Sequence, residues 1–261
     1  MDKPRKLIIS KEKQIGSRSN IIIPIQSSEN KNTIQVPFSE SSPTFENLIQ
    51  TKALNPKSIK NEDFNPRYIN LHSNEGFIVC GCGASLKSVT DLSEFITIGV
   101  NDVSRIMKPN YLLVVNAASS FHPDRWKYVQ YHRSEKMLTH LDNPQVDPAK
   151  VVKIKLGKKG VFDSADKTKI DYSNNSPYMA VIAAYQMGAR KIGLIGVDFT
   201  DHHFFADSGT HILTKNLESI IRDYNRLAVE LTQAGVTVAN LSAESKMTSW
   251  PKMTLEEFRK I

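Results

Sequence analysis

Short apolar runs set off by polar segments organise the chain from Gly76 onward. Phe77–Cys80 ends in Gly81-Cys82-Gly83, Ile96–Val100 ends at Asn101-Asp102, and Tyr111–Val115 ends at Asn116. Val151–Leu156, Lys191–Val197 and Val236–Ala239 repeat the pattern, and Asp198 closes the second of these. Runs this short, with no polar alternation, predict strands buried on both faces. Helical periodicity runs from Pro123 to about Leu141 and again over Lys215–Ala234. Pro177–Met187 is apolar on all sides, which predicts a buried helix. Ser176 suits its N-cap, Pro177 its first position and Gly188 its C-terminal cap. Ser88–Phe95 reads as a polar helix or turn, and residues 157–173 as a polar excursion of hairpin type.

Strands that alternate with helices imply an α/β fold: a mostly parallel, Rossmann-like sheet with helices on both faces. Ligands bind such sheets beyond the strand C-termini. That rule selects Gly81, Cys82, Gly83, Ser85, Asn101, Asn116 and Asp198. Residues 1–70 are of a different character, rich in Lys, Asn, Ser and Pro, with two short apolar runs at Leu7–Ile9 and Ile21–Ile25. They read as a polar, extended, partly ordered arm, with residues 71–261 as the Rossmann-like domain.

Composition narrows the functional classes. The chain has 261 residues, 40% of them hydrophobic, enough for a sizeable core. It contains no apolar run of membrane-spanning length and no apolar signal core. Cys80 and Cys82 provide no disulfide framework, so a cytoplasmic location is expected. The net charge of +7 fits a soluble basic protein with no special partner, or it points to an acidic partner. A nucleotide, a nucleic acid or an anionic membrane surface, bound peripherally, would fit. A homo-oligomer is compatible with this composition.

The polar groups at the strand ends have two readings each. A G-x-G turn can cradle a phosphate, or it can simply permit a tight turn. Asn174, Asn175 and Ser176 can bind phosphate at a helix start or cap that helix. Asn101 and Asn116 each carry a donor and an acceptor, which suits a base edge, a ribose or a sugar, but they can also satisfy loop backbone. His202, His203 and His211 share a loop with Asp201 and Asp207. Their spacing matches no recognised metal pattern, so no metal is expected, and one histidine acting as general base is the simpler use. Asn240 and Ser242 follow a strand on the ligand side, where turn chemistry is the alternative. The chain has no P-loop, no G-x-S-x-G elbow and no helix-turn-helix signature.

The succession "GCGASLK", "GVNDV", "VVNAAS" and "NSPYMAVIAAYQMGARKIGLIGVDF" resembles the bacterial lipooligosaccharide sialyltransferases of glycosyltransferase family 42. It also resembles related proteins of unknown function that begin with G-x-G-P-S-L. The likeness spans roughly residues 76–250. It implies a modified GT-A fold that binds CMP-sialic acid without a metal. By position, Cys82, Ser85, Asn101, Asn116 and Ser176 would line the donor pocket, and His211 would be the general base toward an acceptor glycan. Cys82 replaces the family's asparagine and Ala84 its proline, while Phe204 and Phe205 stand where phosphate-contacting tyrosines are expected. Two other readings stay open. One is a magnesium-dependent pyrophosphokinase of the hydroxymethylpterin type, with Asp198, Asp201 and Asp207 on the metal. The other is a non-catalytic module that binds a nucleotide or nucleic acid.

Overall fold

The computed structural model describes residues 62–64, 66–88, 91–200 and 216–261. Within them one eight-stranded sheet runs in the order β1-β6-β5-β4-β3-β2-β9-β10, every pair parallel. The strands are β1 (Glu62–Asp63), β2 (Gly76–Cys80), β3 (Ile96–Val100), β4 (Tyr111–Leu113), β5 (Lys136–Thr139), β6 (Val151–Lys153), β9 (Lys191–Ile195) and β10 (Thr237–Asn240). A separate pair comprises β7 (Leu156–Lys159) and β8 (Ile170–Tyr172). The helices are α1 (Pro123–Gln130), α2 (Ser176–Gln186), α3 (Leu217–Gln233) and α4 (Leu255–Arg259).

Both sheet faces are covered, as the continuous apolar runs require. One core holds α2, with every residue buried, and the apolar stripe Ile220, Tyr224, Leu227 and Leu231 of α3. The other packs Leu86, Trp126, Val129 and Phe258 against Ile78, Leu112 and Met137. Alternate residues of β2 divide between the cores: Phe77 and Val79 face one, Ile78 and Cys80 the other. This is the period-two geometry of a strand buried on both sides.

Four sequence expectations change. The periodic stretch from Pro123 stops at Gln130, and Lys136–Thr139 is a strand between β4 and β6. Two apolar residues, Met137 and Leu138, inside a helical pattern cannot be assigned by periodicity, and here the partner strands decide. The polar excursion is no hairpin, because β7 and β8 pair in parallel, with Lys159 opposite Tyr172. Ser176 is the first helical residue of α2, and Asn175 is its N-cap. Residues 62–64 and 66–70, read from sequence as the end of the arm, belong to the sheet domain: β1 pairs with β6, and Phe64 and Tyr68 are buried in the α2-side core. Gly188 does end α2 in the left-handed region, at φ +107°.

Candidate active site

The sheet changes direction between β2 and β9. From β2 the chain steps toward β3 to β6, and from β9 it steps the opposite way to β10. A crevice forms at such a reversal, beyond the strand C-termini. Its two walls are the loops after Cys80 and after Ile195, and they make direct backbone contact. Gly81 N–H donates to Ile195 O at 2.8 Å and Gly83 N–H to Gly196 O at 2.7 Å. A Cβ on Gly81 would strike Gly196 O, and one on Gly83 would meet the Asp198 carboxylate and Gly196 O. The G-x-G turn therefore lets protein backbone approach protein backbone, with Gly196 itself at φ +69°.

Asp198 locks that crossing. Its carboxylate accepts from Ser85 N–H at 2.8 Å, from the Ser85 hydroxyl at 2.6 Å and from the Ser242 hydroxyl at 2.5 Å. The Ser85 oxygen in turn accepts from Gly196 N–H at 2.9 Å. Asp198 and Ser242 are buried, and Asn240 is fully so. The Asn240 side-chain oxygen accepts from Ser242 N–H at 3.1 Å. Ser85, Asp198, Asn240 and Ser242, selected from sequence as ligand contacts, thus form an internal clamp that ties the ends of β2, β9 and β10.

At the next strand end Asn101 is half-buried and stands beside Ser176, which is buried. Asn101 takes a left-handed conformation at φ +54°, which asparagine tolerates better than most residues. Its side-chain oxygen accepts from the Ser176 hydroxyl at 3.5 Å, which joins the end of β3 to the start of α2. No side chain caps α2, because Asn175 spends its side-chain oxygen on the Tyr224 hydroxyl at 2.7 Å. Asn174 and Asn116 are exposed, and Asn116 lies beyond β4 on the same sheet edge.

Asp102 and Arg125 belong beside this group, and the sequence motifs did not single them out. Asp102 is fully buried and takes a two-point bond from Arg125, at 3.0 Å from Nε and 2.6 Å from Nη2. Such paired geometry compensates a buried carboxylate better than a single contact would. The Cys82 thiol points at Val100 O, 3.4 Å away, and at Asp102, 3.8 Å away. Burial, and then the Asp102 carboxylate, push that thiol well above its usual range, and burial raises Cys80 to about 12. Both are neutral thiols at physiological pH, and Cys82 acts as a small packing group. Arg125 lies 23 residues from Asp102 on another element, so no local motif marks the pair.

His202, His203 and His211, with Asp201 and Asp207, lie outside the described residues, as do Phe204 and Phe205. Among the described residues no three His, Cys, Asp or Glu side chains cluster as a metal site. Nor, among them, is any helix long and apolar enough to cross a membrane. A separate groove of about 510 Å³ lies at the opposite sheet edge, against Glu75, Thr97 and Asn110.

No family model matches the chain, and no curated protein matches it. Several solved structures are similar to it. One is the sialyltransferase CstII from Campylobacter jejuni with the substrate analogue CMP-3FNeuAc, at 12% identity and a TM-score of 0.44, covering 69% of this chain and 86% of that one. Another is the sialyltransferase CST-II with a trisaccharide acceptor and CMP, at 14% identity, a TM-score of 0.44 and the same coverage. A third is the MAf glycosyltransferase from Magnetospirillum magneticum AMB-1, at 14% identity and a TM-score of 0.43, covering 74% of this chain and 36% of that one. The parallel α/β architecture stands on this chain's own strand pairing.

Proposed function

We propose that the protein is a glycosyltransferase that draws on a nucleotide-activated sugar, with CMP-sialic acid the leading donor. The observation that carries this reading is the contact of Asn101 with Ser176 at the uncapped start of α2. An amide and a hydroxyl side by side suit a ribose or a base edge. Helix N–H groups next to them suit a phosphate. The motif likeness to family 42 adds the sugar and the transfer chemistry.

In the proposed reaction an acceptor hydroxyl oxygen attacks the anomeric carbon of the donor. The bond from that carbon to the phosphate oxygen breaks, and the nucleoside monophosphate leaves. The hydroxyl proton passes to His211, whose assignment rests on the sequence likeness alone. The start of α2 would steady the charge on the departing phosphate. No metal is needed for this scheme. The pyrophosphokinase alternative is not favoured, because the Asp198 carboxylate it would place on magnesium is taken up by two serines.

Thermal unfolding of the full chain with CMP, UDP, GDP or ADP, with and without magnesium, tests the reading. CMP at a hundred times its Kd should add about 2.7 kcal/mol of stability, and EDTA should leave that gain unchanged. A gain seen only with ADP and magnesium would transfer the assignment to the pyrophosphokinase. His211→Ala should keep CMP binding while turnover of CMP-sialic acid falls by roughly 10²–10⁴. Full turnover in that variant would remove histidine from the mechanism.

A further inference from the structure

Asn101 follows β3 in the left-handed region, at φ +54°. Such backbone persists where the surrounding structure over-determines it, and it gathers at sites of recognition. Two backbone anchors hold it here. Upstream, Asn101 N–H donates to Leu113 O of β4 at 3.1 Å. Downstream, Asp102 O accepts from Arg105 N–H at 3.0 Å, which opens the single 3-10 turn Val103–Arg105. The amide itself is loosely held. Among the described residues its side chain makes one hydrogen bond, the long contact with Ser176 at 3.5 Å. Its direction is therefore set by the backbone on either side.

Asp102, the next residue, is fixed by its side chain as well. The carboxylate is wholly buried and takes both Arg125 bonds, at 3.0 Å and 2.6 Å. Arg125 stands in the first turn of α1, beyond β4, with its guanidinium 5.6 Å over the Phe121 ring. The Cys82 thiol reaches the same carboxylate from beyond β2, at 3.8 Å. One carboxylate thus ties together the segments that follow β2, β3 and β4. Two desolvated charges stabilise little on balance, because the cost of leaving water offsets most of their attraction. A planar two-point bond does fix the mutual orientation of its partners, which a single contact does not.

We propose that Asp102 and Arg125 are positioning residues: together they hold the turn at Asn101 so that its amide faces the ribose or base edge of the donor beside Ser176. This rests on the glycosyltransferase reading above and deepens it, since both residues act through Asn101 rather than on the donor.

Calorimetric titration with CMP compares the full-length wild type with Asp102→Asn/Arg125→Gln, with Asn101→Ala and with the triple variant. The paired substitution removes both charges and leaves no buried ion without its partner, so urea unfolding should stay close to that of wild type. Its CMP affinity should nonetheless fall about tenfold, and the triple variant should bind CMP no more weakly than Asn101→Ala alone, because both changes act through one amide. Wild-type affinity in the paired variant overturns the proposal, as do losses that multiply in the triple variant. Hydrogen exchange without ligand is the second readout. The Asn101 N–H should exchange about tenfold faster in the paired variant, with the α2 amides unchanged. An unchanged rate at Asn101 overturns the positioning role. If the paired variant fails to fold, Arg125→Lys takes its place: it keeps the charge and loses the fork, so both shifts are expected in smaller measure, and wild-type values for both overturn the proposal. A wild type that binds no CMP sinks the donor reading, and the exchange rate at Asn101 then decides the pair by itself.

Discussion

Asp198 accepts two hydrogen bonds from Ser85, at 2.8 Å from its N–H and 2.6 Å from its hydroxyl, across 113 residues of chain. With Ser242 as a third donor, this clamp holds the loops of three strands in register at the mouth of the crevice. Asp198→Ala would leave two serine hydroxyls and one N–H without their acceptor, the Ser242 hydroxyl in the buried interior. A loss of about 3 kcal/mol or more is expected in urea unfolding, the usual cost of stripping one partner from a buried charged network. Asp198→Asn keeps the shape and one acceptor oxygen, so it should lose distinctly less. Equal losses in the two variants would mean that the charge matters there and the shape kept by asparagine does not.

Gly81 and Gly83 test the backbone crossing. Each lacks room for a Cβ, since Gly196 O stands against both positions. Gly81→Ala and Gly83→Ala should each destabilise by roughly 1–3 kcal/mol, the cost of overpacking a site with no flexible neighbour. Gly235, at φ +72° with nothing within 4 Å, is the control: its alanine variant should carry backbone strain only. Wild-type stability in either loop variant would contradict the crossing.

Asn101 separates conformation from recognition. Its φ of +54° costs an ordinary side chain roughly 1–2 kcal/mol and costs glycine nothing. Asn101→Gly should therefore be close to neutral in stability, while Asn101→Ala should lose about 1 kcal/mol. If the amide contacts the donor, both variants should weaken CMP binding alike. Calorimetric Kd values that follow the stability ranking instead would assign Asn101 a conformational role alone.

His132 predicts an acid-sensitive fold. It is buried, neither ring nitrogen has a partner among the described residues, and its pKa falls to about 4 through burial and then the nearby Lys150 charge. An unfolded histidine titrates near 6.5. Its folded value is the lower one, so its contribution is complete above about 6.5 and declines as pH falls toward 4. The free energy of unfolding in urea should drop between pH 7 and pH 4.5, by up to roughly 3 kcal/mol from this group. His132→Leu should flatten that slope, because no hydrogen bond is lost. An unchanged slope in the variant would assign acid sensitivity to other groups.

Much of the fold was legible in the chain order of apolar runs. β2, β3, β9, β10 and the buried helix α2 follow from unbroken hydrophobic segments and from Pro177 and Gly188 at the helix ends, all of them local signals. The strand-end rule selected Asn101, and the helix-start signals selected Ser176, each from local sequence. Pairing in space decided the rest. Lys136–Thr139 is a strand because β4 and β6 flank it, and β7 pairs in parallel with β8 across a connection whose Phe162 packs on Tyr185 of α2. The role of each polar residue was settled the same way. Sequence position marked Asn101 and Asp198 alike as ligand-side groups. Only the fold shows Asp198 spent on Ser85 and Ser242, and Asp102 joined to Arg125 on another element. A hydrogen bond depends on where its partner lies in space, and for groups 113 residues apart that distance is written only in the folded sheet.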